Sequence, residues 1–481
     1  MDLFEKKMKD DGLSDAAIAA FRLNYEGLVS GKSLFLPEST IEPIEEIPKL
    51  EDMKEPTDDA LDKLLAKTAV CKLNGGLGTS MGLEKAKSLL TVKDGNTFLD
   101  LIALQVKHMR KTFKSHVRFL LMNSFSTSED TKEFLSKDHG DILKEKDIEL
   151  VQNKSPKVNA KTLEPALFPE NPALEWCPPG HGDLYAALLG SGMLDRLLED
   201  GIEYLFVSNS DNLGATMDLK LLEYFATSSK EFVMEVAERT AVDKKGGHLC
   251  KSKEDNKMLL REAAQCLDED EKDFQDITKH KFFNTNNLWI RLSGLKKAME
   301  KEGGLLPLAL IKNSKTIDPR NKKTEKVFQL ETAMGAAISC FDDSGAVVVP
   351  RTRFAPVKSC NDIFVLRSDA FEVTEDSRVV LKAPQTPVIK LDDDHYKMVD
   401  QMEALVEESP SLIQCKSLKV KGAVKFLKGV KIVGDVEIIN SGKEENKEEC
   451  YGFTRVVEGN RGDLPANNYG VALVSCCHLQ I

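Results

Sequence analysis

The 481-residue chain lacks the markers of several protein classes. No apolar run approaches the length of a membrane span, so no spanning helix is expected. The opening Met1-Asp2-Leu3-Phe4-Glu5-Lys6-Lys7 has no apolar signal core, and the closing His478-Leu479-Gln480-Ile481 is not an S-K-L address. A cytoplasmic location is therefore expected. Ten cysteines are scattered without a C-x-x-C pair, and only the adjacent Cys476 and Cys477 are close. That pattern predicts reduced thiols rather than a disulfide framework or a metal finger. Positive charge is not in excess: 66 Lys and Arg face 78 Asp and Glu, a net charge of −12. Nucleic acid and anionic membranes are thus disfavoured as partners, because phosphate polymers need clustered cations. A local basic pocket for a small phosphate ligand is not excluded. The H-E-x-x-H zinc motif, the G-x-S-x-G nucleophile elbow and the kinase signature set are all missing.

What is present is ordinary globular composition, 41% hydrophobic and 30% charged, at a length that fits about two to four domains. Apolar residues recur at helical spacing from 1 to about 35, and a Pro- and Glu-rich stretch over 36–56 reads as a linker or a surface strap. From about 65 to 370 strand and helix patterns alternate. Strands are predicted at 69–73, 117–122, 149–152, 204–208, 232–236, 258–261, 288–290 and 328–330, with helices at 98–111 and 183–198. Such alternation implies an α/β fold with a doubly wound, mixed but mostly parallel sheet, whose ligands bind at the carboxyl ends of strands. Further on, Leu412, Leu418, Val424, Val430 and Val436 recur every six residues, as do Val420, Phe426, Ile432 and Ile438. Period six with Gly422 and Gly434 between the series favours a parallel β-helix over 411–440; a pair of ordinary alternating strands is the alternative.

The most informative segment is Cys71-Lys72-Leu73-Asn74-Gly75-Gly76-Leu77-Gly78-Thr79-Ser80-Met81-Gly82, followed by Lys87. Glycines at a strand end let the backbone turn sharply and approach a ligand, and exposed N–H groups there cradle phosphate oxygens. A lysine a few residues on adds a point charge. The spacing is neither G-x-x-x-x-G-K-[ST] nor G-x-G-x-x-G, since Met81 stands where the last glycine should be. A plain strand-to-helix turn is the alternative.

Other candidates follow along the chain. Pro178-Pro179-Gly180-His181-Gly182-Asp183 is a rigid loop before a helix, with Asp183 suited to the N-cap and His181 presentable to an anion at that helix end. Ser208-Asn209-Ser210-Asp211-Asn212 ends a buried strand; Asp211 is placed to hold Mg²⁺ with substrate phosphates, or simply to close an Asx-turn. Asn284-Thr285-Asn286-Asn287 reads alone as a turn, yet converging Asn and Glu side chains are what sugar hydroxyls require. In Arg351-Thr352-Arg353-Phe354-Ala355-Pro356-Val357-Lys358 the basic residues are expected to meet phosphates.

These motifs, taken together and in order, resemble the eukaryotic UTP–glucose-1-phosphate uridylyltransferases over nearly the whole chain. The resemblance implies a Rossmann-like nucleotidyltransferase fold with a C-terminal left-handed parallel β-helix. The expected division is an N-terminal helical segment and linker at 1–55, a catalytic domain at 56–374 and a C-terminal domain at 375–481. It implies UTP and glucose 1-phosphate as substrates, UDP-glucose and pyrophosphate as products, and Mg²⁺ as cofactor. The roles it implies are Lys87 and Lys358 for phosphates, and Leu73, Asn74, Gly75, Gly76, Gln152, Gly180, Asn209 and Asp211 for the nucleotide. His181, Gly247, Glu262, Asn284 and Asn286 would bind the sugar phosphate, and Asp211 the metal. The β-helix offers a route to self-association. A broader UDP-sugar pyrophosphorylase and a non-catalytic relative serving as an assembly module are the competing readings.

Overall fold

The computed structural model describes residues 1–31 and 34–440, with 58–60, 451–455 and 471–475 as backbone alone. Cys476 and Cys477 lie outside the described residues; seven other cysteines stand free. Among the described residues no helix is long and apolar enough to cross a membrane.

The chain forms two compact units. One comprises Met1–Gly75, Met109–Asn209 and Met217–Phe354, the other Gly76–His108, Ser210–Thr216 and Ala355–Ile481. The first is mixed α/β around a ten-stranded sheet. Its central strands pair in parallel: Thr68–Asn74 lies between Tyr204–Asn209 and Arg118–Asn123, and Glu149–Val151 follows on the flank. The long strand Phe282–Arg291 runs antiparallel to both Tyr204–Asn209 and Phe232–Glu238. The central strands are buried on both faces: Ala69, Cys71, Leu120, Leu205 and Val207 share one face, and Val70, Phe119, Leu121 and Phe206 the other. That is the pattern of a sheet covered on each side.

Most predicted strands lie where expected, and those at 288–290 and 328–330 extend to Phe282–Arg291 and Lys326–Thr332. The N-terminal helices, Asp2–Asp10 and Asp15–Val29, stop short of 35 where Gly31 turns left-handed (φ 65°). The single helix expected over 183–198 is two, Asp183–Gly190 and Met193–Glu199, because Gly192 breaks it at φ 68°. The N-cap of the first is Gly182, not Asp183, which falls in the first turn. The 36–56 stretch is stitched to the sheet: Ile41–Glu42 pairs antiparallel with His248–Ser252, and Glu38 pairs with Arg261 at 2.6 Å.

In the second unit, Val388–Lys390, Ser411–Lys421 and Lys431–Ile439 form a three-stranded parallel ladder. All nine apolar residues of the two period-six series are buried in one core with Met81, Phe98, Leu213 and Val357.

Candidate functional site

In the first unit the glycine loop starts at the end of Thr68–Asn74, where Leu73 stands level with Asn209 on the neighbouring parallel strand. Asn74 is buried and donates to Asn123 Oδ1 at 2.7 Å and Thr131 Oγ1 at 3.0 Å, so it braces the strand end. Gly75 carries its carbonyl to Ser124 Oγ at 2.9 Å. A Cβ on Gly75 would sit 2.9 Å from Gln152 Oε1. Gln152 in turn donates from Nε2 to Gly180 O at 2.8 Å. Gly180 is left-handed (φ 81°), and a side chain there would collide with the Thr332 backbone. Gly75, Gln152 and Gly180 are therefore one cluster. Thr332 closes it, accepting from Gly182 N at 2.9 Å and donating to Pro179 O at 3.0 Å.

His181 accepts from Met334 N at its Nδ1, 3.0 Å away. Burial pushes its pKa down to about 4. With Nδ1 accepting, the neutral ring carries its proton on Nε2, so it offers a donor rather than a cation.

A second cluster surrounds Glu262. Gly247 precedes the strand His248–Ser252, whose His248 pairs with both Arg261 and Phe283 in register. A Cβ on Gly247 would lie 2.5 Å from Glu262 Oε2. Burial pushes the Glu262 carboxyl up. Asn284 and Asn286 lie within Phe282–Arg291, not in a turn. A bulge opposite Glu235 and Val236 puts Asn286 at φ 60° and lets the two side chains meet, Asn284 Nδ2 donating to Asn286 Oδ1 at 2.9 Å. Bulges re-aim side chains in this way. A Cβ on Gly335 would come within 2.7 Å of Asn284 Nδ2, so this glycine also walls the cluster.

The second unit holds the charges. Lys87 Nζ donates to Asp211 Oδ2 at 2.6 Å and to Val357 O, both side chains being mostly buried. Its backbone N–H closes the glycine loop on Gly76 O at 2.9 Å. Gly78 is left-handed (φ 64°), and a Cβ there would lie 3.3 Å from the Lys87 stem. Nothing stands within 4 Å of a Cβ built on Gly76. Val357 N donates to Asp211 O at 3.1 Å, and Asn212 Oδ1 accepts from Ala355 N at 2.9 Å, so 355–357 lies alongside 211–212. Lys358 follows on the surface, just before the helix Cys360–Arg367. Among the described residues no group of three His, Cys, Asp or Glu side chains could hold a metal. Asp211 fits Mg²⁺ nonetheless, since that ion is often held by one or two carboxylates plus substrate phosphates. Lys87 contacts only one of its two oxygens.

The basic residues of 351–358 do not share one fate. Arg353 is buried and forks onto Glu235 at 2.7 and 2.8 Å, and Arg351 pairs with Asp243 at 2.7 Å. Each neutralises a carboxylate of its own unit. Sequence reasoning missed Glu235, which also accepts from Asn287 and Trp289 at 3.0 Å. The signal was a lone acid in an apolar strand. It also passed over Lys72 as a buried group: its ammonium donates to Ser208 Oγ at 2.7 Å, and burial lowers its pKa to about 7.

A glycine loop and an aspartate loop leaving the carboxyl ends of adjacent parallel strands is the arrangement of an α/β nucleotide-binding enzyme. The sequence pattern of the family described as UTP–glucose-1-phosphate uridylyltransferase matches residues 19–433. A protein of that name from Encephalitozoon cuniculi is 40% identical over 429 residues, covering 88% of this chain and 83% of its own. Its counterpart from Saccharomyces cerevisiae is 41% identical over 380 residues, 78% of this chain and 74% of its own. Among solved structures, a mutant UDP-glucose pyrophosphorylase from Leishmania major in complex with UDP-glucose superposes with a TM-score of 0.85 at 48% identity, covering 92% of this chain and 94% of that one. The Trypanosoma brucei UDP-glucose phosphorylase gives 0.83 at 48%, covering 92% and 95%. The chain belongs to the UTP–glucose-1-phosphate uridylyltransferase family.

Proposed function

We propose that the chain carries out its family's reaction with a recognition group in the first unit and a charge group in the second. The reaction is UTP plus glucose 1-phosphate giving UDP-glucose plus pyrophosphate. A sugar-phosphate oxygen attacks the α-phosphorus of UTP in line, the α–β bridging bond breaks, and pyrophosphate leaves. The attacking phosphate monoester is already an anion near neutral pH, its second pKa being about 6, so no general base is needed. What the protein must supply is positioning and neutralisation of crowded phosphates.

Gln152 with Gly180 and the Leu73–Gly75 backbone reads uracil, Asn74 braces the end of its strand, and Asn209 at the end of the neighbouring strand meets the nucleotide. Gly247, Glu262, Asn284 and Asn286 meet the glucose hydroxyls, and His181 donates from Nε2 toward the sugar phosphate. Lys87 and Lys358 bring positive charge and the loop at Gly76 brings N–H donors. Mg²⁺ on Asp211 would supply further charge neutralisation when bound. The Lys87–Asp211 pair carries this reading: a scaffold relative has no use for a lysine and an aspartate held together behind a glycine loop.

The finer expectations belong to the same proposal. The buried period-six series and its parallel ladder support a left-handed β-helix, which offers a surface for self-association. The net negative charge favours small phosphate ligands over nucleic acid and membrane, and the free cysteines favour the cytoplasm. Pyrophosphate release on adding UTP and glucose 1-phosphate with Mg²⁺ tests the activity. Asp211→Asn, which keeps shape and removes charge, is expected to shift the Mg²⁺ titration to higher concentration; an unchanged titration would leave Asp211 as a turn residue only.

A further inference from the structure

Asp183 is used by none of the assignments above, yet it is 6% exposed and, among the described residues, paired with no cation. Burial raises its pKa to about 7 even though Asn153 donates to it twice. Burying a carboxylate without a counter-charge is costly, and the start of the helix Asp183–Gly190 offsets only part of that. What the carboxylate holds is narrow: Asn153 N at 2.7 Å on Oδ2, and Asn153 Nδ2 at 3.0 Å on Oδ1.

Asn153 is the residue after Gln152, whose own N–H donates to Asn123 O at 2.7 Å. Gln152 is thus pinned from both sides along the chain. Its side chain spends Nε2 on Gly180 O. That contact decides which way the amide points, because a turned-over amide would set its oxygen against a carbonyl. Oε1 is left on the Gly75 side, as an acceptor. An acceptor matches the N3–H of uracil and opposes the N3 lone pair of cytosine. A buried polar group left unpaired by the wrong ligand is a strong means of rejection.

We propose that Asp183 is a positioning residue for base selection, holding Asn153 so that the neighbouring Gln152 presents its amide oxygen to the base. This rests on the reading of Gln152 as the uracil-contacting residue. The loop 178–182 is already fixed by Thr332, so Asp183 acts on the Gln152 side of the cluster.

The test is steady-state kinetics of the full chain with UTP and with CTP. Asp183→Ala is expected to raise KM for UTP about tenfold and to lower the UTP-over-CTP preference in kcat/KM about tenfold, the loss of roughly one hydrogen bond. Turnover with UTP and KM for glucose 1-phosphate are expected to stay within about twofold. Asp183→Asn should recover most of the preference, because its amide still accepts from Asn153 N–H and the Asn153 amide can turn over to accept in return. Should Asp183→Ala not fold, Asn153→Ala removes the side-chain half of the contact and is expected to shift both quantities the same way. A folded Asp183→Ala or Asn153→Ala protein with unchanged KM and preference overturns the proposal. So does a loss confined to kcat, which a merely structural residue would produce. Gln152→Ala separates the two levels: if it too leaves KM and preference unchanged, the base-reading assignment itself is wrong. If it loosens them and Asp183→Ala does not, only the role of Asp183 falls.

Discussion

The recognition group of the first unit and the charge group of the second are built on opposite plans. In the first, polar groups satisfy one another without any ligand: Gln152 donates to Gly180, Asn284 to Asn286, and His181 accepts from Met334. Such networks fix the direction of each donor and acceptor in advance, which is what selection between similar ligands needs. In the second, one cation and one anion hold each other, Lys87 on Asp211, beside Gly76, where a side chain would meet open space. Opposite charges kept together in the resting protein limit the cost of partial burial, and both remain at hand when phosphates arrive. On the proposed reading, specificity falls to the first group and turnover to the second.

The glycines give the largest contrast. Gly76→Val adds a side chain into open space, so the fold should survive while activity falls by orders of magnitude, because phosphate can no longer reach the loop N–H groups. Gly180→Ala should also cost stability, with thermal unfolding at lower temperature, since its Cβ would meet Thr332 N at 2.8 Å in a left-handed conformation. Near-normal turnover in a folded Gly76→Val protein would remove the loop from the active site. Lys358→Ala comes next. A charge-assisted hydrogen bond contributes about 1.5–3 kcal/mol, so kcat/KM should drop roughly ten- to a hundred-fold, and the double mutant with Lys87→Ala should be non-additive if both serve one cluster of phosphates. A wild-type Lys358→Ala enzyme would leave that lysine a surface charge. Arg353→Ala is expected to act on stability, by about 3–5 kcal/mol, because it strands Glu235 buried and unpaired. Chemical denaturation measures that, and a loss of turnover at unchanged stability would restore Arg353 as a phosphate ligand.

The same contrast shows what the sequence could disclose. Features carried by local pattern were legible: apolar runs ending in Gly75 or Asp211, the period-six series, and the loop at 178–183. Pairings between distant segments were not. Glu235 and Arg353 are 118 residues apart, and no local signal told that guanidinium from one that binds phosphate. The asparagines at 284 and 286 read as a turn because a bulge inside a strand uses the same residues and the same left-handed backbone. Nor did periodicity show that Gly76–His108 packs in one unit with the chain beyond Ala355, since that depends on which apolar faces meet.

The division of labour is tested most directly by comparing Gln152→Ala with Lys87→Ala in the forward reaction, measuring kcat and both KM values by pyrophosphate release. An interaction equal in ground and transition states appears in KM, and one that grows as phosphates crowd appears in kcat. The account predicts a raised KM for UTP with nearly unchanged kcat for Gln152→Ala, and a kcat reduced at least roughly tenfold for Lys87→Ala. The reverse pattern, or the same pattern in both variants, would contradict it.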